Sequence, residues 1–298
     1  MKTLITGGSG LVGTALDEYL RQQGHEVLRL CRRGTAGCDG QPWWDPSTGQ
    51  VDADALAGAD AIVHLAGANI GARLWTQARK RLLRDSRVES TRTLAEYLAA
   101  RPNPPSVFIS ASAVGFYGNR GDDVLDERSE VGSGLLADLC RDWEAACIPL
   151  VGSGVRVVHA RFGIVMSPRG LPLSRLLLVF RMGMGGRQGN GRQWVSWIDI
   201  DDLTRAIEHM LTSEDISGPV NAVAPEPITN AEMTRVLAGV LRRPAFMHVP
   251  AFALRLIFRD MADEALLSSV RAQPARLLQG GFEFAYPDLK SSLEHLLH

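Results

Sequence analysis

The densest chemistry in the chain lies near its start. Thr6-Gly7-Gly8-Ser9-Gly10-Leu11-Val12-Gly13 sets glycines at 7, 10 and 13, directly after the apolar run Lys2-Thr3-Leu4-Ile5-Thr6. A strand that turns on glycine into a helix offers free N–H groups and a positive dipole end, which is what a phosphate needs. In that arrangement Gly7 permits the turn, Gly10 lets backbone approach a pyrophosphate, and Gly13 lets helix and sheet pack closely. Gly8, Ser9, Leu11 and Val12 complete the loop. A dinucleotide is the expected ligand. Its ribose is read at the end of the second strand, where an acid about 20 residues past the last glycine would hold a free 2′-hydroxyl. Nineteen residues after Gly13 stands Arg32 instead, flanked by Cys31 and Arg33. A guanidinium pairs with a 2′-phosphate that a carboxylate would repel. The residues therefore favour NADP(H) over NAD(H), with Cys31 and Arg32 at its adenosine end. Arg33 reads equally well as a solvated surface arginine.

These groups need a scaffold. Apolar runs at 2–6, 26–31, 61–66, 106–111 and 155–160 predict strands, with a short one near 41–44 and a late one at 219–223. They are apolar throughout rather than alternating, as strands buried on both faces are. Helix-like spans near 11–23, 75–100 and 133–147 separate them. Strand–helix–strand order predicts an α/β fold of the Rossmann type: a doubly wound parallel sheet with helices on both faces. Residues 183–191 hold five glycines and predict a loop. A helix over 200–213 opens among Asp199, Asp201 and Asp202, where negative charge suits the helix dipole. Thr229-Asn230-Ala231-Glu232 fits a capping box. The C-terminal third reads as mainly helical, punctuated by prolines at 244, 250, 274 and 287. The expected organisation is a dinucleotide-binding domain over 1–165, to which 199–224 returns, and a smaller, mainly helical C-terminal substrate domain from 166–198 and 225–298.

Composition narrows the function classes. With 298 residues, 45% hydrophobic and 22% charged, wholesale disorder is excluded. Basic and acidic residues number 32 and 33, a net charge of -1, which gives no electrostatic case for a nucleic-acid or membrane-surface partner. The apolar stretches 171–180 and 251–258 are interrupted by Arg175 and Arg255 and are too short to span a bilayer. The start reads as a strand and not as a signal peptide, so a reducing cytoplasm is the default. The cysteines 31, 38, 140 and 147 make no disulfide scaffold and form no CxxC pair, so no metal site is expected, and Cys140 and Cys147, on one face of a helical stretch, read as small buried thiols.

Further along, His64-Leu65-Ala66-Gly67 and Ser110-Ala111-Ser112 follow successive strands. With the glycine loop they resemble the extended short-chain dehydrogenase/reductases, which include nucleotide-sugar epimerases and dehydratases. Ala66–Ile70, Arg73–Trp75, Ser86-Arg87, Ser112–Gly118, Trp143-Glu144, Arg161–Val165, Gly189–Gln193 and Trp197–Asp202 carry the likeness over nearly the whole chain. They are most similar to an atypical branch, the epimerase family proteins, or YfcH-like sugar-nucleotide epimerases. The resemblance implies a Rossmann-type domain with a substrate site between it and the C-terminal domain. It also implies Leu65, Ala66, Gly67 and Ser110 along the cofactor, Arg87 near it, and Val165 at its nicotinamide end. Read alone, residues 64–67 are a strand end and Arg87 a helix surface residue.

The catalytic pattern of that superfamily is broken here. Its typical members use a Ser or Thr with a Tyr-x-x-x-Lys pair, in which tyrosine shuttles the proton that must accompany hydride transfer. Of Tyr19, Tyr97, Tyr117 and Tyr286, only Tyr286 has a lysine four residues on, Lys290, far from the expected place. The helix that should carry the pair has neither residue, and Asp138 or Asp142 falls at the lysine's place, depending on alignment. Ser112 remains to orient a substrate oxygen, and Tyr117 to donate a proton if it faces the nicotinamide. Arg161, Arg192 and Gln193 are the candidates to receive a substrate diphosphate, with Arg187 beside them. The expected function is that of an NADP(H)-dependent oxidoreductase or epimerase acting on a nucleotide-sugar-like small molecule. The alternatives are a reductase of a small carbonyl compound and an NADP(H)-binding sensor that lost catalysis. A monomer or homodimer is expected.

Overall fold

Leu4 and Ile5 are neighbours in the first strand, and both are fully buried, on opposite faces of a sheet. The computed structural model describes residues 1–35 and 38–297; residues 36, 37 and 298 lie outside the description. β1 (Lys2–Thr6), β2 (Glu26–Arg32), β3 (Trp43–Trp44), β4 (Ala61–His64), β5 (Val107–Ala113), β6 (Arg156–Phe162) and β7 (Gly218–Ala222) form one sheet. Its order is β7-β6-β5-β4-β1-β2-β3 and every pairing is parallel. The helices of eight residues or more are α1 (Leu11–Gln22), α2 (Gln77–Asp85), α3 (Val88–Ala99), α4 (Leu135–Ala145), α5 (Leu173–Arg181), α6 (Ile200–Thr212), α7 (Asn230–Leu241), α8 (Ala251–Phe258) and α9 (Leu289–Leu297), with short ones at Ala53–Leu56 and Ala275–Gln279.

Strand residues alternate between two cores, which is why the strands read as apolar throughout. Ile5, Val63 and Ile109 meet Leu16 and Leu20 of α1 and Leu203 and Ile207 of α6. Leu4, Ile62 and Phe108 meet Leu94 and Leu98 of α3 on the other face. Each such side chain, taken fully out of water, contributes about 1.5–3 kcal/mol. α5, α7 and α9 gather around Phe180, Trp197, Leu237 and Leu293 in a further cluster. Leu277 and Phe282, late in the chain, belong to the sheet-side core rather than to that cluster.

Three expectations need correction. The span 75–100 is two helices, because the chain turns at Ser86 and Arg87: the Ser86 hydroxyl donates to the Leu83 carbonyl and accepts the Ala68 N–H. The loop 183–191 contains a short strand, Gly186–Gln188, paired parallel with Met247–Val249. A side chain at Gly186 would collide with the Met247 carbonyl, so glycine is what allows this approach. Cys31 and Cys38 are joined in a disulfide with Cα atoms 5.8 Å apart, whereas Cys140 and Cys147 are buried free thiols.

Candidate active site

The parallel register sets Thr6 beside both Leu30 and His64, so the loop after β1 lies between the ends of β2 and β4. Gly7 has φ +70, and a Cβ there would stand 2.7 Å from the Leu65 carbonyl carbon. A Cβ on Gly13 would stand 2.5 Å from the Gly7 oxygen. These two glycines seat the loop on Leu65-Ala66 and let α1 start against it. Gly10 is the N-cap of α1, with no side-chain cap and no acid in the first turn. The amides of Leu11, Val12 and Gly13 therefore have no intrahelical acceptor and sit at the positive end of the dipole. A cradle of bare amides without a competing carboxylate fits a dinucleotide diphosphate. Arg32, exposed at the end of β2, has no ion-pair partner among the described residues, and Arg33 lies over the Trp43 ring at 4.3 Å. His64 lies inside: burial pushes its pKa down to about 3, and Nδ1 meets the Thr6 hydroxyl at 2.7 Å. It is a strand histidine, as its place among apolar neighbours implies.

At the end of β5 a buried polar chain begins at Ser112. Its hydroxyl donates to Glu144 Oε1 (2.7 Å), and Arg161 grips the same carboxylate through Nε (2.8 Å) and Nη2 (2.9 Å). Arg161 Nη1 donates to the Tyr117 oxygen (3.0 Å), and Tyr117 donates to Asn221 Oδ1 (2.7 Å). The Asn221 N–H in turn reaches Glu127 Oε1 (3.0 Å). Burial opposes the charge on Arg161, but its hydrogen bonds and ion pair with Glu144 outweigh it and its pKa is raised. Burial likewise raises the Tyr117 pKa, against the lowering effect of Arg161. Tyr117 is fully buried and its hydroxyl is engaged inside the protein. Arg161 is also enclosed, over the Phe116 ring at 3.6 Å, so it does not face a cleft as a diphosphate ligand would. Trp143-Glu144 carries part of the family likeness in sequence, with no role for Glu144 implied there. Nothing in its spacing pointed to Arg161, which reaches it from β6.

Asp138 and Asp142 turn outward, where Arg141 binds both. The residues of α4 that face the turn Val114–Tyr117 are Leu136 and Cys140: a Cβ on Gly115 would stand 3.3 Å from Leu136 Cβ and 3.8 Å from Cys140 Sγ. They carry the i, i+4 spacing of a Tyr-x-x-x-Lys pair, with no proton-carrying group between them but a thiol that burial pushes up to about 12. A cation nonetheless arrives from elsewhere. Arg87, at the start of α3, packs its guanidinium carbon 3.3 Å from where a Gly67 Cβ would be and 5.1 Å over the Trp143 ring. Burial lowers its pKa, its Nη1 donates to the Leu83 carbonyl, and no carboxylate pairs with it among the described residues.

The other candidates lie apart. Ser110 is buried, its hydroxyl on the Ala111 carbonyl. Val165 lies in a short strand, Ile164–Met166, paired with Trp197–Asp199. Gln193 is buried and its amide braces the Gln188 and Leu266 carbonyls, so it is not an open substrate ligand; Arg192 is exposed. From the C-terminal part Glu264 caps α4, accepting the Leu135 and Leu136 N–H groups at 3.1 and 3.2 Å. Tyr286 stacks on His295 at the surface, away from the serine.

This sheet order, glycine loop and serine-bearing strand end define the class of the extended short-chain dehydrogenase/reductases. Residues 3–136 match the NAD dependent epimerase/dehydratase family, and residues 249–296 match a domain of unknown function, DUF1731. An epimerase family protein of Mycobacterium bovis is 43% identical over 289 residues, covering 97% of this chain and 95% of that one. The human epimerase family protein SDR39U1 is 33% identical over 300 residues, covering both chains completely. This chain belongs to the epimerase family proteins. A crystal structure of human SDR39U1 with NADPH superposes with a TM-score of 0.89, at 33% identity and 99% coverage of both chains. A nucleoside-diphosphate sugar epimerase from Corynebacterium glutamicum is 40% identical with a TM-score of 0.80; this chain spans 58% of it.

Proposed function

We propose that this protein binds NADP(H) and acts as an oxidoreductase or epimerase on a nucleotide-sugar-like substrate. The uncapped, acid-free start of α1, seated by Gly7 and Gly13 beside an unpaired Arg32, carries the cofactor half of this reading. The NADPH bound to human SDR39U1 supports it. The amides of Leu11 to Gly13 would take the diphosphate, Arg32 the 2′-phosphate, and Leu65 to Gly67 the chain toward the nicotinamide. When bound, NADP(H) supplies the hydride acceptor and donor.

The chain's own groups set the rest. Ser112 is buried, as Tyr117 is, but its hydroxyl donates directly to the Glu144 carboxylate, so it can take a proton from a substrate oxygen by passing its own to Glu144, and return it by the reverse step. Arg87 supplies from α3 the positive charge that the missing lysine would supply from α4. Arg161, which donates to the Tyr117 oxygen on its other side, holds Glu144 in place, and in this reading neither Arg161 nor Tyr117 meets substrate. The substrate class rests on the Corynebacterium neighbour and on exposed Arg192.

Incubation with NADP+ and UDP- or dTDP-sugars tests the reaction: the sugar carbon passes its hydride to NADP+ and takes it back on the other face, so inversion at one sugar carbon is expected, lost in Ser112→Ala. No turnover across such a panel, with NADPH still bound, would favour the sensor. The apolar pair Leu136 and Cys140 is the observation that keeps that second reading in view.

A further inference from the structure

α8 turns its apolar residues outward. Leu254 is buried, yet Phe252 is 72%, Leu256 80% and Ile257 57% exposed. Along α5, Leu178 and Met182 are likewise exposed, on the stripe shared with Arg175. The pairing of Gly186–Gln188 with Met247–Val249 links the segments that follow α5 and precede α8, and Phe246 there is 77% exposed. Among the described residues, ten of eighteen exposed large hydrophobic side chains fall within 178–184 and 246–257. Scattered exposed leucines need no explanation, but a concentration of this kind marks a contact surface.

The charge of this face has one sign. Residues 170–198 and 233–259, which supply this face, contain nine arginines and no Asp, Glu or Lys. Arg175, Arg181, Arg187, Arg242, Arg243 and Arg259 are exposed and have no ion-pair partner among the described residues. The bordering carboxylates, Asp260 and Asp263, are taken by Lys80 and Arg255. Arg242 and Arg259 have φ 51 and 52, and are the non-glycine residues with positive φ among those described. Glycine adopts that backbone at no steric cost, yet arginine stands at both positions. A net charge of -1 conceals this segregation.

We propose that this face docks peripherally on an anionic lipid membrane. Apolar tips flanked by guanidinium groups match the boundary between acyl chains and phosphate headgroups. No helix among the described residues is long and apolar enough to cross a membrane, so attachment is to one leaflet. A second copy fits less well, because two-fold self-pairing would set arginines against arginines with few carboxylates between them. A nucleic acid would engage the arginines and leave Leu256 and Ile257 without an apolar partner.

Flotation of the full chain with phosphatidylcholine vesicles, with and without phosphatidylglycerol, tests this. The protein should float only with phosphatidylglycerol and detach as salt is raised. Phe252→Ser/Leu256→Ser and Arg242→Ser/Arg243→Ser should each lower the bound fraction about tenfold, with unchanged circular dichroism. If the apolar variant does not fold, the arginine variant alone decides. Failure to float with either vesicle, or equal flotation of a folded variant, overturns the proposal. A dimer in light scattering that Phe252→Ser/Leu256→Ser dissolves also overturns it, in favour of a second copy.

Discussion

Arg87 and Arg161 are both largely enclosed guanidinium groups, but only Arg161 is neutralised. Glu144 takes it bidentately, so the cation and its carboxylate satisfy each other away from water. Arg161→Met leaves Glu144 buried without its partner and should cost about 3–5 kcal/mol in urea unfolding. The double variant Arg161→Met/Glu144→Leu should recover most of that loss, which a simple packing role for Arg161 would not produce. Arg87→Met should behave oppositely. It removes a desolvated charge that no carboxylate repays, so thermal stability of the free protein should hold or rise while NADPH affinity falls. A variant that loses both would show Arg87 to be structural. Arg32→Ala should weaken NADPH by roughly tenfold or more, the loss of a charge-assisted pair, and leave NADH nearly unchanged in calorimetric titration. Equal loss for both cofactors would refute the 2′-phosphate assignment. Arg32 was legible because its place is counted from the glycines. Arg87 was not legible from its own surroundings, because its inward turn depends on the break between α2 and α3 at Ser86.

At the level of elements, α1 begins against the glycine loop with almost no clearance. Gly13→Ala puts a methyl 2.5 Å from the Gly7 oxygen and must push helix from loop. Overpacking of this kind costs about 1–3 kcal/mol, and cofactor binding should fall with stability. α6 offers a pH test. Asp199 caps it and accepts the Ser292 hydroxyl of α9, and burial pushes its pKa from 3.8 up to about 6. A raised folded pKa gives stability that is full below the unfolded value and is lost as pH rises through the folded one. Asp199→Asn keeps a capping oxygen without the charge. Wild type should therefore weaken relative to it between about pH 4 and 6, by on the order of 3 kcal/mol; parallel pH profiles would contradict this. Capping motifs and buried strands were readable because local order determines them. The inward face of α4 was not, since Leu136 and Cys140 are selected by helix phase against the turn Val114–Tyr117, a contact set by tertiary packing.

Across the whole molecule, the parallel sheet followed from apolar runs separated by helical spans, and both of its faces are covered as those runs require. Composition was less informative about surfaces. Totals of 32 basic and 33 acidic residues do not show that nine of the 29 arginines lie in two stretches with no carboxylate, 170–198 and 233–259, whose segments 186–188 and 247–249 pair in the fold. The disulfide between Cys31, in β2, and Cys38 was likewise hidden, because a spacing of seven that runs past the end of a strand fixes no distance. What unites the scales is the claim that the start of α1 and the end of β2 form one NADP(H) site. Calorimetric titration of the full chain with NADPH and with NADH tests it most directly. NADPH should bind one-to-one and at least roughly tenfold tighter than NADH, as a charge-assisted 2′-phosphate contact requires. No heat or saturation with either nucleotide, or tighter binding of NADH, would contradict it.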